Sequence, residues 1–297
     1  MIDEGSYVIF DYAQNLTREC YSMRKMIPCI NQATVLPADT LEFVEEAKRA
    51  GFNLIEFDIA KLEEVAEKHG FPELKEIIDR NQVEVVSLNA IENFPILTES
   101  EMASSLVRCE RVFKLSRDLG CGLVVVNPNE FSEGKREEMQ RAFDLFVDQA
   151  AEIATGFSVR LGYEFVSYEN RVFNTLAESL RGLSRWGSRV GLVLDVFHLY
   201  RSGEKLTQIP DPLIDRMWVF HVNDAPQAPI SILRDTDRVF PGEGVVNVRE
   251  ALGVLEQRGF AGPVSLELFN ATYWKKPTAA VLRRSWESLD GLLRKSA

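Results

Sequence analysis

The chain has 297 residues, of which 45% are hydrophobic and 27% are charged, and its formal net charge is −11 at pH 7. This balance is typical of a water-soluble globular enzyme, and no segment approaches the roughly 18 uninterrupted apolar residues of a membrane span. The excess of acidic residues argues against a protein that binds nucleic acid by neutralising phosphates with Lys and Arg. We therefore expect a small, neutral or weakly charged substrate, with no nucleic acid and no membrane as a partner.

The N-terminal sequence and the cysteines both favour a cytoplasmic location. Residues 1–5 (MIDEG) are acidic and lack the basic region and apolar core of a signal peptide. The four cysteines form no C-x-x-C pair and are too sparse for a disulfide scaffold: Cys20, Cys29, Cys109 and Cys121. We expect them to be reduced and mostly buried small side chains.

From about Met26 onward, short β-branched segments alternate with longer segments in which apolar residues have helical spacing. In the first helical segment Leu41, Val44 and Ala47 share one face, and Gly51 then ends the helix. The predicted strands are 26–30, 52–59, 83–88, 123–126, 159–166, 190–196, 217–222 and 264–269. The predicted helices are 41–50, 104–119, 137–154, 176–186, 248–258 and 278–294.

Eight strand–helix units predict a single-domain (β/α)8 TIM barrel over residues 26–297. The strands are continuously apolar, which is typical of a parallel sheet covered by helices. A doubly wound open sheet is the alternative, but the Gly-rich phosphate-binding turn that often follows its first strand is missing. Eight units in roughly 270 residues fit a barrel better. Residues 1–25 have no part in the repeat, and we interpret them as an N-terminal extension or cap.

Four of the later strands each end in a polar side chain that is costly to bury without a partner: Glu164, Asp195, His221 and Glu267. Active sites of such barrels are built at the carboxyl ends of the strands. Because consecutive strands are neighbours, strands five to eight should bring the four side chains together on one side of the mouth. A lone acid at a strand end is more often a helix N-cap or an ion-pair partner, whereas four in register favour a shared site.

A metal ion explains this constellation best. Three carboxylates and one imidazole around one point need a cation to offset their mutual repulsion. Three oxygen ligands and one nitrogen ligand suit Zn²⁺, Mn²⁺, Co²⁺ or Mg²⁺ and fit poorly with a thiolate-type structural zinc site. We therefore predict one divalent metal ion held by these four residues.

Three segments resemble the xylose-isomerase-like sugar isomerase/epimerase superfamily: GLVLDVFHLYRSG (191–203), FHVNDAP (220–226) and PGEGVVNVREALGVLEQRGFAGPVSLELF (241–269). Within that superfamily the chain is most similar to the inosose isomerase (2-keto-myo-inositol isomerase) family. The segments that carry this closer resemblance are CINQAT (29–34), DAPQAPISILRDTDRVFPGEG (224–244) and SLELFNATYW (265–274). The resemblance extends from about Met26 to the C-terminus and is strongest after Leu161.

The resemblance implies the same TIM barrel and the same metal ligands, Glu164, Asp195, His221 and Glu267. It also implies that the two glutamates act as an acid/base pair on opposite faces of the substrate. By the same resemblance, His198 contacts oxygen atoms of the substrate. The alternative for His198 is a histidine at a helix start that is bonded to the backbone.

Two segments depart from the family pattern and bear on the substrate. Residues 167–170 (SYEN) replace the histidine-containing loop that is typical after the first ligand, and Gln32 stands where a glutamate is usual. Both segments are candidates to line the pocket, and we interpret Asn31, Gln32 and Arg238 as substrate-binding residues. Arg238 alternatively pairs with Asp235 or Asp237.

The implied activity is the metal-dependent isomerisation or epimerisation of a sugar or cyclitol. A metal ion, acting as a Lewis acid, stabilises the enediolate that forms when the proton beside a carbonyl leaves. Glu164 and Glu267 are the candidates for removing and returning this proton. The expected partner is a small polyhydroxylated carbonyl substrate, and a homo-oligomer remains an open alternative to a monomer.

Three other functions use the same kind of barrel. A dehydratase of the dehydroshikimate type begins with the same proton abstraction and differs only in its leaving group. The sequence therefore distinguishes a dehydratase only weakly from an isomerase or epimerase. An endonuclease IV-like DNA-repair enzyme needs a histidine-rich site for several zinc ions, but the chain has three histidines, His69, His198 and His221. A non-catalytic binding protein is hard to reconcile with a complete set of metal ligands.

Overall fold

The computed structural model describes residues 26–68 and 71–294, and within them eight parallel strands close into a barrel. The strands are β1 (Ile27–Asn31), β2 (Leu54–Asp58), β3 (Glu84–Ile91), β4 (Leu123–Val126), β5 (Arg160–Glu164), β6 (Val190–Asp195), β7 (Met217–Val222) and β8 (Pro263–Leu266). Each strand pairs with the next along the chain, and β8 pairs with β1. The predicted single-domain (β/α)8 barrel is confirmed, and the open-sheet alternative is wrong.

Helices follow the strands and cover the outside of the barrel. They are α1 (Thr40–Ala50), α2 (Ile59–Lys68), α3 (Phe71–Asn81), α4 (Glu99–Asp118), α5 (Arg136–Thr155), α6 (Leu176–Trp186), α7 (Val196–Ser202), α8 (Asp211–Ile214), α9 (Val248–Gln257), α10 (Ala271–Trp274) and α11 (Thr278–Leu293). Within the described ranges none of these helices is long and apolar enough to cross a membrane. The predicted extension over residues 1–25, and also His69, lie outside the described residues.

The start of α4 shows how a cap sets a helix boundary. The apolar spacing predicts that this helix starts at residue 104, but the helix begins at Glu99. Thr98 Oγ1 accepts a hydrogen bond from the backbone N–H of Glu101 at 3.2 Å, and the Glu101 carboxylate accepts one from the backbone N–H of Thr98 at 2.9 Å. This reciprocal capping box satisfies two backbone donors that the first turn would otherwise leave without partners.

Alternating side chains divide the strands into an outer and an inner face. The outer face packs against the helices and forms the main core, which includes Val124, Leu194 and Phe220. The inner face carries a separate apolar cluster whose buried members all lie on strands: Leu123, Val125, Val193 and Val219. Two residues beyond Val193 and Val219 stand Asp195 and His221, which therefore also point inward, at the carboxyl ends of their strands. The barrel interior thus changes from apolar to polar at its mouth.

The described cysteines behave as small core residues. Cys29, Cys109 and Cys121 are buried, and none of these three forms a disulfide bond. Burial raises the pKa of the Cys121 thiol to about 11, so it stays protonated at neutral pH. This agrees with the sequence expectation for these three, whereas Cys20 lies outside the described residues.

Candidate metal centre

The barrel brings together the four residues that were predicted as metal ligands. Glu164 and Asp195 are the last residues of β5 and β6, His221 is the fifth residue of β7, and Glu267 directly follows β8. One nitrogen or oxygen atom from each lies within 4.8 Å of the corresponding atoms of the others, and all four residues are buried. We call this group the four-residue cluster.

The imidazole of His221 connects the cluster to a further carboxylate. Its Nδ1 lies 2.9 Å from Glu164 Oε1 and 3.7 Å from Glu267 Oε2. Its Nε2 lies 3.2 Å and 3.3 Å from the two carboxylate oxygens of Glu56. Burial disfavours the charged imidazole, but the surrounding carboxylates outweigh it and raise the pKa of His221 well above its usual value.

Arg238 lies against the cluster as a second cationic group. Its guanidinium Nη1 is 2.7 Å from Glu267 Oε2 and 2.8 Å from Asp195 Oδ2, and its Nη2 is 2.5 Å from Asp235 Oδ1. The side chain is buried. Arg238 therefore pairs with Asp235, as one sequence interpretation expected, and also contacts two residues of the cluster. Its role in substrate binding stays a prediction.

His198 stands beside Arg238, in the first turn of α7. Since a guanidinium can only donate, Arg238 Nη2 donates to His198 Nε2 at 3.3 Å. The hydroxyl of Ser167 lies 3.3 Å from the other ring nitrogen, Nδ1. Burial lowers the pKa of His198 despite the nearby Asp235 and Asp195, which keeps the ring neutral. The structure thus places His198 next to the cluster but outside it.

The two candidates at the end of β1 have different surroundings. Asn31 Nδ2 donates to Glu267 Oε1 at 2.9 Å, so this residue touches the cluster. Gln32 is fully buried, its Nε2 donates to Thr40 Oγ1 at 3.0 Å, and its Oε1 accepts from the Asp58 backbone N–H at 3.1 Å. The structure does not bring Gln32 into this group, and its role in substrate binding stays a prediction.

Two residues at the site were not predicted from the sequence: Glu56 on β2 and Asn223 just after β7. Glu56 has no exposed surface, and Asn223 Nδ2 donates to both carboxylate oxygens of Asp195, at 3.0 and 3.1 Å. The signal for Glu56 was an acid inside the apolar segment LIEFD, where burial demands a partner. The partner, His221, is 165 residues away in the sequence.

The charges at this site fit a divalent cation. Four buried carboxylates, those of Glu56, Glu164, Asp195 and Glu267, surround two groups that carry positive charge, His221 and Arg238. Burial, with the nearby Glu164 charge, raises the pKa of Glu267 to about 8 although His221 and Arg238 oppose the shift. The carboxylates outnumber the two cationic groups, and a divalent ion with oxygen and nitrogen ligands would offset the remaining negative charge.

We expect metal binding to tighten as pH rises toward about 8. Because the carboxyl of Glu267 has a pKa of about 8 and His221 is also protonated in the metal-free protein, a metal ion must displace a proton from each at lower pH. Each displaced proton makes the affinity rise by about tenfold per pH unit, and the contribution of Glu267 levels off above its pKa. Chelator competition at pH 6, 7, 8 and 9 measures the trend. An affinity that does not change between pH 6 and 8 would contradict this assignment.

Comparison with known proteins places the chain in a family. Residues 44–291 match the family model "Xylose isomerase-like TIM barrel". An inosose isomerase from Halalkalibacterium halodurans is 28% identical over 251 residues, which are 83% of this chain and 89% of that protein. A 3-dehydroshikimate dehydratase from Pseudomonas aeruginosa is 27% identical over 91% of this chain but only 41% of its own length.

A solved structure supports the same grouping. The crystal structure of the IOLI protein "with a binding zinc atom" has a TM-score of 0.84 and 25% sequence identity to this chain, covering 92% of this chain and 99% of that one. The barrel, the family model and these relatives confirm the resemblance that the strand-end motifs indicated. The chain belongs to the xylose isomerase-like TIM barrel family.

Proposed function

We propose that the protein is a divalent-metal-dependent isomerase of a small polyhydroxylated carbonyl compound, with an inosose as the first candidate substrate. The observation that carries this proposal is the buried four-residue cluster, in which Glu164 and Glu267 approach one point from separate strands. The similarity to inosose isomerases over most of the chain supports it. The oxygen and nitrogen ligands accommodate Zn²⁺, Mn²⁺, Co²⁺ or Mg²⁺, and zinc is the first to test because the IOLI structure binds it.

The four residues of the cluster would hold the ion, and when bound it supplies Lewis acidity to the oxygens of the substrate. The carboxylate of Glu267 or Glu164 accepts the proton from the carbon next to the carbonyl. Delivery of a proton to the former carbonyl carbon, while a hydroxyl proton moves to the former carbonyl oxygen, exchanges the positions of ketone and hydroxyl. No atom is gained or lost, as an isomerase requires.

We infer that Arg238 and His198 orient the substrate. Arg238 presents a guanidinium at the edge of the cluster, 2.7 Å from Glu267, and would donate hydrogen bonds to a substrate oxygen. The neutral ring of His198 lies within 3.3 Å of Arg238 and would bind a neighbouring oxygen. Because the two side chains are buried, they would hold the reacting carbon close to the glutamates with little freedom of movement.

The wall across from the cluster fits a substrate with several hydroxyl groups. Asn127 lies two residues beyond Val125, which faces the barrel interior, and Asn89 pairs in register with Asp58, two residues beyond the inward-facing Glu56. Among the described residues, Asn89 Nδ2 and Asn127 Oδ1 are buried without a hydrogen-bond partner. Buried polar atoms need partners, and hydroxyl groups both accept from the amide nitrogen and donate to the amide oxygen.

A dehydratase is the second candidate, because one relative of that activity matches 91% of the chain. Dehydroshikimate carries a carboxylate, which needs a cation in the pocket. Arg238 is already paired with Asp195, Asp235 and Glu267. A guanidinium with three carboxylate partners is poorly suited to bind another one, and this favours the uncharged inosose.

Product analysis separates the two candidates. The purified protein is loaded with zinc or manganese and incubated with inososes, ketoses and 3-dehydroshikimate, and the products are identified by NMR. We expect an inosose to be converted to an isomer of equal mass, with metal-stripped protein as the inactive control. An aromatic product formed from 3-dehydroshikimate by loss of water would assign a dehydratase instead, and no product from any compound would contradict both.

A further inference from the structure

We propose that Glu56 is a positioning residue that fixes the tautomer and the ring orientation of His221. In the metal-loaded protein His221 Nε2–H would donate to Glu56, and the lone pair of Nδ1 would face the four-residue cluster. The inference rests on the proposed function in one respect, since it concerns the metal site of that function.

The two nitrogens of the His221 ring have different surroundings. Nδ1 is the nitrogen near the cluster, 2.9 Å from Glu164 Oε1 and 3.7 Å from Glu267 Oε2. Nε2 faces away from these atoms and lies 3.2 and 3.3 Å from the two oxygens of Glu56. Both His221 and Glu56 have no exposed surface, so water does not compete for this contact.

A histidine that binds a metal through one nitrogen keeps its proton on the other. That second nitrogen needs an acceptor, and a carboxylate both fixes the tautomer and makes the ligating nitrogen more basic. A charged carboxylate has only acceptor sites, so Glu56 selects the Nε2-protonated form of His221. The form with its proton on Nδ1 would remove the hydrogen bond from His221 to the buried Glu56 carboxylate.

Glu56 is itself held from both neighbouring strands. Ser87 on β3 donates from Oγ to Glu56 Oε2 at 2.5 Å, and Asn31 on β1 donates from Nδ2 to Glu56 Oε1 at 3.4 Å. Asn31 and Ser87 are also the register partners of Glu56 in the sheet. Because Asn31 also donates to Glu267, one amide connects the positioning carboxylate to the cluster.

Asp58 provides a matched control on the same strand. It lies two residues beyond Glu56 at the end of β2, and its Oδ1 accepts from the Lys61 backbone N–H at 2.9 Å. Asp58→Asn removes one negative charge near the mouth without touching the contact between Glu56 and His221. Comparison of Glu56→Gln with Asp58→Asn therefore separates positioning of the ring from loss of net charge.

The test measures zinc affinity by chelator competition for the wild type, Glu56→Gln and Asp58→Asn. We expect Glu56→Gln to bind zinc about 10- to 100-fold more weakly, as is usual when the carboxylate partner of a ligating histidine is lost. Asp58→Asn should remain within about threefold of the wild type, since Asp58 is partly exposed and solvent screens its charge. Equal affinities of the two variants would overturn the proposal.

A second measurement does not depend on the folding of any variant. Long-range ¹H–¹⁵N spectra of the zinc-loaded wild type should show His221 with its proton on Nε2 and its metal on Nδ1, and few ring signals need assignment because the chain has three histidines. The opposite tautomer would overturn the proposal. If the wild type binds no divalent metal, the proposed function fails as well. If it binds zinc and Glu56→Gln binds equally tightly, only this inference fails.

Discussion

Replacing Glu267 with Gln is expected to lower kcat by about 10³-fold or more. The variant loses a candidate ligand atom of the cluster and the carboxylate that we propose exchanges a proton with the substrate. Proton transfer by a positioned side chain alone is worth about 10²- to 10⁴-fold. The amide of Gln keeps the size of the side chain and its hydrogen bond from Asn31, so the barrel should still fold. The rate is measured on the isomerised substrate at saturating metal.

The control for this variant is Glu256→Gln, which removes a carboxylate from an exposed position on α9. It should leave kcat within about twofold of the wild type, because surface substitutions away from the site have small effects. If Glu267→Gln retained more than a tenth of the wild-type rate, Glu267 would not exchange a proton in the rate-limiting chemistry.

Replacing His221 with Ala is expected to abolish stoichiometric metal binding. The variant lacks the nitrogen ligand, and three carboxylates of the cluster remain with Glu56 facing the gap. Removing one partner of a buried ion pair also lowers the free energy of unfolding, by about 3 kcal/mol or more. Elemental analysis after gel filtration measures the metal content, and denaturant titration measures the stability.

His198→Ala is the matched histidine control. His198 lies beside Arg238 but contributes no atom to the four-residue cluster, so its loss should leave the metal content unchanged while substrate turnover falls. A His221→Ala protein that retained as much metal as His198→Ala would show that the metal is held elsewhere.

Residue patterns were enough to predict the barrel and the four side chains that it brings together. The strand β4 and the helix α6 were predicted with their observed bounds, since Gly122 precedes the apolar segment of β4 and Gly187 follows the apolar periodicity of α6. Glu164, Asp195 and His221 were found because each follows an apolar segment and faces inward by the alternation of a strand. The topology of a closed barrel then brings them together regardless of loop details.

The features that were missed depend on contacts between distant segments. Glu56 interrupts β2 as one acid among apolar residues, and only barrel closure shows that it meets His221. Helix α2 begins at Ile59, directly after β2. The apolar pattern runs on from the strand into Ile59, so it predicts a strand that includes this residue and does not indicate the helix. The reach of Arg238 into the cluster depends on the path of the long loop after β7, which no periodicity specifies.

The most direct test of the central claim is proton exchange on the substrate. The metal-loaded protein is incubated with an inosose in D₂O, and deuterium at the carbon next to the carbonyl is followed by NMR. We expect deuterium in both substrate and isomerised product, at a rate that falls with metal removal and with Glu267→Gln. Conversion without any deuterium from the solvent, or exchange that is equally fast in Glu267→Gln, would contradict proton transfer by the carboxylates at the barrel mouth.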